Sequence, residues 1–252
     1  MMMLKLLLLI ATLAKITSSE WQGCGTNNDA KIYAHKKSAI CVVLSGPDSW
    51  QQPTASKYSR FMFTPKVDSL TKLEIANSWV GLRTDENDLL IKNFTNPSVH
   101  VESGKALSYI KRYRGLLDDT SKTPVTWPYM TAIINVDEGD ITGITWDDGC
   151  YFCENHKCQQ NTFDFKGSQV TDDALASPNC YLKDTECQGE AGKVAENCPM
   201  SIYVVWTGSD GNGKLLKSAE MRFSQYKSYS VMNFIADGKD SYEDVTEFDW
   251  NS

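Results

Sequence analysis

The cysteines at positions 150, 153 and 158 are the residues whose type and spacing come closest to a recognisable chemistry. A short Cys-x2-Cys loop with His156 beside it could hold a tetrahedral zinc ion through sulfur and imidazole ligands. A thioredoxin-like redox pair uses the same spacing, but it sits between a strand and a helix, which the surrounding sequence does not indicate. More cysteines follow downstream, so the sequence favours disulfide bonds here.

The chain contains eight cysteines, two early and six late. In an oxidising compartment an even number predicts four disulfides. Because each group is even, we expect the early two to bond to each other and the late six to close among themselves, with their connectivity open. The predicted disulfide residues are Cys24, Cys41, Cys150, Cys153, Cys158, Cys180, Cys187 and Cys198.

Two acidic stretches could bind calcium through clustered carboxylates. One consists of the acids in residues 137–140 together with Asp147 and Asp148. The other, residues 210–213, resembles part of a calcium loop, but with Asp210 at the third ligand position Gly208 occupies the first, and Ala219 occupies the position that requires a bidentate glutamate. Both stretches are predicted to be turns, and no metal ligand or cofactor is assigned.

Signatures of enzymes are absent from the sequence. His35, His100 and His156 are its only histidines, and it contains no Gly-x-Ser-x-Gly elbow, His-Glu-x-x-His helix or phosphate loop. Two carboxylates from distant strands suffice for glycoside hydrolysis, so a secreted hydrolase stays an alternative. The favoured interpretation is a protein without catalytic activity.

Two further residues are candidate sites. Trp50 lies in the turn of a predicted hairpin, where a place in the core is hard to arrange. It is a possible ligand platform, because a flat indole face can cover a sugar ring. Asn93 begins the sequence Asn-Phe-Thr, which is an acceptor site for N-glycosylation.

The N-terminus predicts export from the cell. Lys5 precedes an apolar run at residues 6–13, and small residues at 17–19 suit cleavage, so residues 1–19 are predicted to be a signal peptide. Cleavage would remove Lys5 and Lys15 and change the formal net charge from −7 to −9. This balance argues against nucleic acid and anionic membranes as partners. No later stretch is apolar enough to span a membrane.

The clearest structural unit is a predicted β-hairpin at residues 201–226, with the turn at residues 210–213. Residues 41–63 have a similar sequence that aligns with this hairpin without a gap, which predicts an internal duplication. The matching positions are Val42-Val43 with Val204-Val205, Gly46 with Gly208, Asp48 with Asp210, and Arg60-Phe61 with Arg222-Phe223.

Two more hairpins are predicted, one joining residues 73–82 to 89–94 and one joining 129–136 to 141–146. Residues 105–117 show helical spacing and form the only helix candidate, although their aromatic residues also suit a strand. Their basic side chains form a positive patch that is either a solvated face or a surface for anionic sugars. These are Lys105, Lys111, Arg112 and Arg114.

These elements predict an all-β, disulfide-stapled protein with one short helix, built either as two small sandwich-like modules or as one β-sandwich with internal pseudo-symmetry. Two modules, residues 20–128 and 129–252, are separated by an extended linker at 118–128. The second module contains a cysteine-rich insert at residues 150–198.

Several motifs in the second half resemble secreted cysteine-containing proteins of ciliate protists. They are the run from Trp146 to Cys150, the residues 161–163 and 202–210, and the triplet at 222–224. The resemblance implies a lineage-specific secreted or surface protein and carries no activity.

The sequence therefore predicts a secreted or cell-surface protein that binds a partner or serves a structural role without catalysis. Its partner would be a protein or a glycan at the cell surface, and its oligomeric state is open. A carbohydrate-binding module that uses exposed aromatic residues is the first alternative, and the secreted hydrolase is the second.

Overall fold

The structure is a computed structural model that describes residues 24, 30–45, 58–76, 78–81, 98–147, 149–150, 153, 157–165, 167–169, 178–188, 198–221 and 243–245. Trp50, Asn93, His156 and the predicted signal peptide lie outside these residues.

Strands dominate the described part of the chain, and its helices are short. The strands are β1 (Ile40–Ser45), β2 (Tyr58–Phe63), β3 (Thr71–Ile75), β4 (Ser98–Ser103), β5 (Ala106–Leu107), β6 (Lys111–Arg112), β7 (Arg114–Leu116), β8 (Pro124–Thr126), β9 (Tyr129–Asp137), β10 (Asp140–Trp146), β11 (Cys158–Gln159), β12 (Asn179–Cys180), β13 (Leu182–Lys183), β14 (Met200–Ser209), β15 (Leu215–Leu216) and β16 (Glu243–Val245). The helices are α1 (Ser78–Gly81), α2 (Asp184–Cys187) and a 3-10 turn at Ser218–Met221.

Two larger sheets form the body of the protein. The first has the order β2-β1-β4-β5, with β6 beside β4, and the second has the order β10-β9-β14-β3-β16, with β15 beside β14. Neighbours are antiparallel except that β14 runs parallel to β9 and β16 runs parallel to β3. A smaller sheet, β13-β8-β7, joins the cysteine-rich insert to residues 114–126.

The core lies between the two larger sheets, because alternate residues of their strands point inward. Val42 and Leu44 from β1 belong to the same buried cluster as Ile202, Val204 and Trp206 from β14. Burial of an aliphatic side chain of this kind contributes roughly 1.5–3 kcal/mol. The predicted all-β sandwich is confirmed.

The hairpin predicted around residues 137–140 is confirmed. Strands β9 and β10 pair antiparallel from Asp137 and Asp140 onward. Glu138 and Gly139 at the turn have φ angles of 46° and 84°. Two consecutive positive φ values are typical of the tight turns whose twist matches that of the flanking strands.

The two similar hairpins occupy different surroundings. Strands β1 and β2 pair along six residues each, whereas β14 pairs with β15 only at Gly208 and Ser209. Farther along β14, residues from Met200 to Val204 pair with β3 instead. Strand β3 therefore occupies the edge of β14 along which a longer returning strand would pair. The returning strand is predicted to extend beyond Leu216, but β15 ends there and a 3-10 turn follows.

Strand β3 also corrects the predicted hairpin of residues 73–82 and 89–94. Both of its edges are occupied, one by β14 and the other by β16. Residues 89–94 lie outside the described part of the chain. Because β3 precedes residue 128, the second sheet contains strands from both predicted modules, and the division at residue 128 stays a prediction.

The helix predicted at residues 105–117 is wrong, because this segment forms β5, β6 and β7. Tertiary partners override its helical spacing. The linker predicted at residues 118–128 is also wrong in its second half, where Pro124–Thr126 forms β8. There Val125 and Trp127 have no exposed surface.

The cysteines pair as two groups. Cys24 bonds to Cys41, and the late six form three bonds among themselves. The Cα atoms of the bonded residues are 5.2 to 5.7 Å apart. The late bonds are Cys150–Cys158, Cys153–Cys180 and Cys187–Cys198. The predicted grouping is confirmed, and the three cysteines of the motif at residues 150–158 form disulfide bonds.

Candidate functional site

The acidic residues considered for calcium do not converge. Asp140 lies at the hairpin turn and pairs with Lys31 at 2.7 Å, whereas Asp147 follows the opposite end of β10. Asp148 lies outside the described residues. Among the residues that the structure describes, no group of three or more His, Cys, Asp or Glu side chains is arranged to hold a metal ion.

The positive patch predicted at residues 105–114 is wrong for three of its four members. Lys111, Arg112 and Arg114 are 0%, 8% and 3% exposed. The Lys111 ammonium donates to the Asn179 side-chain oxygen at 2.9 Å, and Arg114 forms an ion pair with Asp184. Lys111 and Arg114 thus hold the cysteine-rich insert against the sandwich, and the three buried cations are not a solvated face.

A second buried ionic group spans the first sheet. The Arg60 guanidinium donates to Glu102 at 2.9 Å, and the other oxygen of Glu102 lies 3.2 Å from His100 Nε2. A carboxylate that orients an imidazole is a catalytic arrangement when the second ring nitrogen faces a substrate. Here both His100 and Glu102 are 1% exposed. The group links β2 to β4 across β1.

Exposed lysines do gather at one end of the sandwich. We define the basic rim as Lys36, Lys37, Lys66, Lys214 and Lys217, all of which are exposed. They come from three segments, residues 33–38, 65–68 and 210–217. In sequence these segments are far apart, so the rim exists only in the folded protein.

Backbone contacts join the first two segments. The Val67 N–H donates to the Lys36 carbonyl at 2.8 Å, and the His35 N–H donates to the Val67 carbonyl at 3.0 Å. Lys37 and Lys66 are direct partners in an antiparallel bridge. Direct partners project from the same face, so two ammonium groups share one side of this bridge.

The third segment is bonded to the second by the carboxylate of Asp68 and to the residue before the first segment through its backbone. Asp68 accepts the N–H groups of Lys217 and Ser218 at 2.6 and 2.8 Å. The Gly211 N–H donates to the Ile32 carbonyl at 2.9 Å. The Lys214 Nζ lies 2.9 Å from the His35 Nε2, which places His35 at the rim.

The rim has a local positive charge. Its three segments contain five lysines against two carboxylates, Asp68 and Asp210, which leaves a charge of +3. Both carboxylates accept hydrogen bonds from backbone N–H groups. Within the described part of the chain, none of the five lysines has a carboxylate within ion-pairing distance. Four of these ammonium groups therefore lack a nearby carboxylate partner in the described residues, while Lys214 also contacts His35 and helps to lower the pKa of Asp210.

Asp210 organises the turn beneath the rim. Its side chain accepts N–H groups from Ala34, Asn212 and Lys214 at 3.0, 2.9 and 2.9 Å. The hydrogen bond from the Ala34 backbone is the main cause that lowers the pKa of this carboxyl, and Lys214 adds to it. The charged form is thus bound more tightly by the folded protein.

We expect Asp210→Asn to lower the melting temperature most at neutral pH. A depressed pKa contributes stability above the ordinary range of aspartate, and this contribution is lost as the pH falls through the folded-state value. The difference from wild type should shrink on acidification. Thermal unfolding at a series of pH values tests this, with Asp119→Asn in an exposed loop as the control. A difference that did not change with pH would contradict the role of the charge.

The sequence offers a weak signal for this site. Lys36 and Lys37 are adjacent, but the other three lysines stand alone among polar residues. A stronger signal was available for β4, where Val99 and Val101 alternate with His100 and Glu102. This period of two is typical of a strand whose two faces differ, and β4 is absent from the predicted elements.

The fold and the rim define a disulfide-bonded β-sandwich with a cationic surface at one end. The chain belongs to the family of the uncharacterised protein DDB_G0273449, a Dictyostelium protein, whose family model matches residues 48–239. This match gives no link to ciliate proteins. No curated protein and no solved structure matches the chain.

The family match covers part of the rim. Residues 48–239 include Lys66, Lys214 and Lys217, while Lys36 and Lys37 precede them.

In the part of the chain that the structure describes, no helix reaches the length and hydropathy needed to cross a bilayer.

Proposed function

We propose that the protein is a non-catalytic binding protein of the extracellular space and that it holds polyanionic ligands at the basic rim. The observation that carries this proposal is the set of five exposed lysines, none of which forms an ion pair with a carboxylate in the described residues. The chain has a net charge of −7, so a cluster of positive charges on it favours the binding of negatively charged ligands at that place.

Export belongs to the same proposal. The predicted signal peptide at residues 1–19 and the predicted glycan at Asn93 favour secretion, and four disulfides are compatible with an oxidising compartment. In that compartment the abundant polyanions are acidic glycans.

The described buried carboxylates give less support to the hydrolase alternative. Glu102 is bonded to Arg60 and His100, and Asp210 is bonded to backbone amides. A glycosidase needs one acid that can donate a proton and a second that faces the substrate. These two carboxylates are instead occupied by contacts that support the fold.

Titration calorimetry with dextran sulfate tests the proposal, with uncharged dextran as the matched probe. We expect dextran sulfate to bind at about 50 mM NaCl and to bind more weakly at about 300 mM, because salt screens exposed charges. The double variant Lys37→Gln/Lys66→Gln should weaken binding roughly 2- to 30-fold, since each exposed ion pair contributes about 0.2–1 kcal/mol.

Lys122→Gln is the control, because Lys122 is exposed and lies outside the rim. This variant should bind dextran sulfate as the wild type does. Absence of binding at low salt would refute the proposed function. An equal loss in the control and in the double variant would refute the assignment to the rim.

A further inference from the structure

We propose that the ligand of the basic rim is an acidic polysaccharide and that Tyr33 is the platform on which one of its sugar rings stacks. This inference rests on the proposed function and adds the chemical class of the ligand. Tyr33 is one of five large apolar or aromatic side chains that are exposed in the described residues, at 38%. It is the aromatic residue of this set that lies beside the rim lysines.

The Tyr33 ring lies against a glycine. A methyl group at Gly211 would lie 2.8 Å from Tyr33 Cε1 and 3.1 Å from Cζ. The ring therefore rests against the backbone of the β14–β15 turn, where only a residue without a side chain leaves room. The Tyr33 carbonyl accepts the Lys36 N–H at 3.1 Å, so the backbone of the first rim lysine turns back onto that of Tyr33.

This combination suits a charged sugar better than a simple polyanion. The face of a pyranose ring is apolar and packs on an aromatic ring, while its sulfate or carboxylate groups reach the surrounding cations. Lys36 follows Tyr33 by three residues, and His35 contacts Lys214. A chain of inorganic phosphate has no apolar face and would gain nothing from Tyr33.

The charges on the other side of Tyr33 set the direction of the ligand. The neighbouring β9–β10 turn carries Asp137, Glu138 and Asp140, and Lys31 pairs with Asp140 at 2.7 Å. This turn contacts Gly211, since a methyl group at Gly139 would lie 2.8 Å from the Gly211 Cα. An anionic chain is repelled from the turn and attracted by the lysines, so it runs from Tyr33 onto the basic rim.

Two substitutions test the platform without changing any charge. Tyr33→Leu removes the ring, and Gly211→Ala displaces it. Tyr109→Leu is the matched control, because Tyr109 is 65% exposed and lies outside the rim segments. We expect Tyr33→Leu to weaken dextran sulfate binding roughly 2- to 13-fold, which is the range of one aromatic contact. Gly211→Ala should weaken it in the same direction, and Tyr109→Leu should not.

The probes separate the classes of ligand. Polyphosphate and vesicles of phosphatidylserine supply the same sign of charge without a sugar face. Their binding should be unchanged, within about twofold, by Tyr33→Leu. If Tyr33→Leu left dextran sulfate binding intact, or weakened all three probes equally, the carbohydrate assignment would be overturned. In that case a loss of binding in the variant Lys37→Gln/Lys66→Gln would still support the proposed function. If none of the polyanions bound to the wild type, the proposed function and the carbohydrate assignment would both be refuted.

Discussion

Gly208→Ala is expected to lower the free energy of unfolding by about 3 kcal/mol or more. Gly208 pairs with Val136 across the parallel strands β9 and β14, and its φ angle is +102°. A methyl group there would lie 1.8 Å from the Val136 carbonyl oxygen. The substitution therefore combines backbone strain with a clash against backbone, which cannot rotate away.

Substitutions at two other glycines separate the cost of backbone strain from the cost of the clash. Gly213 has a φ angle of +76°, but a methyl group there meets no atom within 4 Å, so Gly213→Ala should cost about 1–2 kcal/mol from strain alone. Gly143→Ala should be nearly neutral, because its nearest neighbour is 4.0 Å away. Urea unfolding followed by tryptophan fluorescence measures all three. Equal losses at Gly208 and Gly213 would show that the β9–β14 contact is looser than described.

Trp127→Ala should cost about 3–5 kcal/mol, the range of a large aromatic removed from a core. Trp127 has no exposed surface, and its indole N–H donates to the Gln159 side chain at 3.1 Å. Gln159 in turn donates to the carbonyls of Leu116 and Leu117 at 3.0 and 2.8 Å. The ring also fills the space beside Gly115, where a methyl group would lie 2.7 Å from it.

Trp127→Phe divides this loss into packing and hydrogen bonding. It keeps most of the apolar volume and leaves the Gln159 oxygen without its donor, so it should cost about 1–3 kcal/mol. Circular dichroism during urea unfolding is the suitable measurement, because it does not depend on the tryptophan removed. A loss below about 0.5 kcal/mol for Trp127→Ala, which is the usual range for a surface position, would restore the linker interpretation of residues 118–128.

The elements predicted correctly are those whose pattern is complete within a short stretch. The β9–β10 hairpin has strands rich in β-branched residues and a turn whose Gly139 adopts positive φ without strain. The grouping of the cysteines followed from parity alone, because an early pair and a late set of six can each close. Which of the late cysteines bond, however, depends on the fold: Cys158 and Cys180 are cross-strand neighbours, yet each bonds to another partner.

The failed predictions share one cause. Residues 105–117 show helical spacing, but Lys111 and Arg114 find partners at Asn179 and Asp184, about seventy residues away. Buried cations need such partners, because desolvation of an unpaired charge is costly. No local pattern contains that information. The same holds for β3, whose neighbours in the sheet come from the last quarter of the sequence.

By itself, then, the sequence determined the class of the fold, the grouping of the disulfides and the turns, because alternation, parity and glycine conformation are local properties. Only the tertiary structure decided which charges face solvent. It buried three of the four cations in the predicted patch and assembled the basic rim from lysines at positions 36, 37, 66, 214 and 217. The reason is that a surface is set by the pairing of distant strands, and its charge is fixed only when that pairing is known.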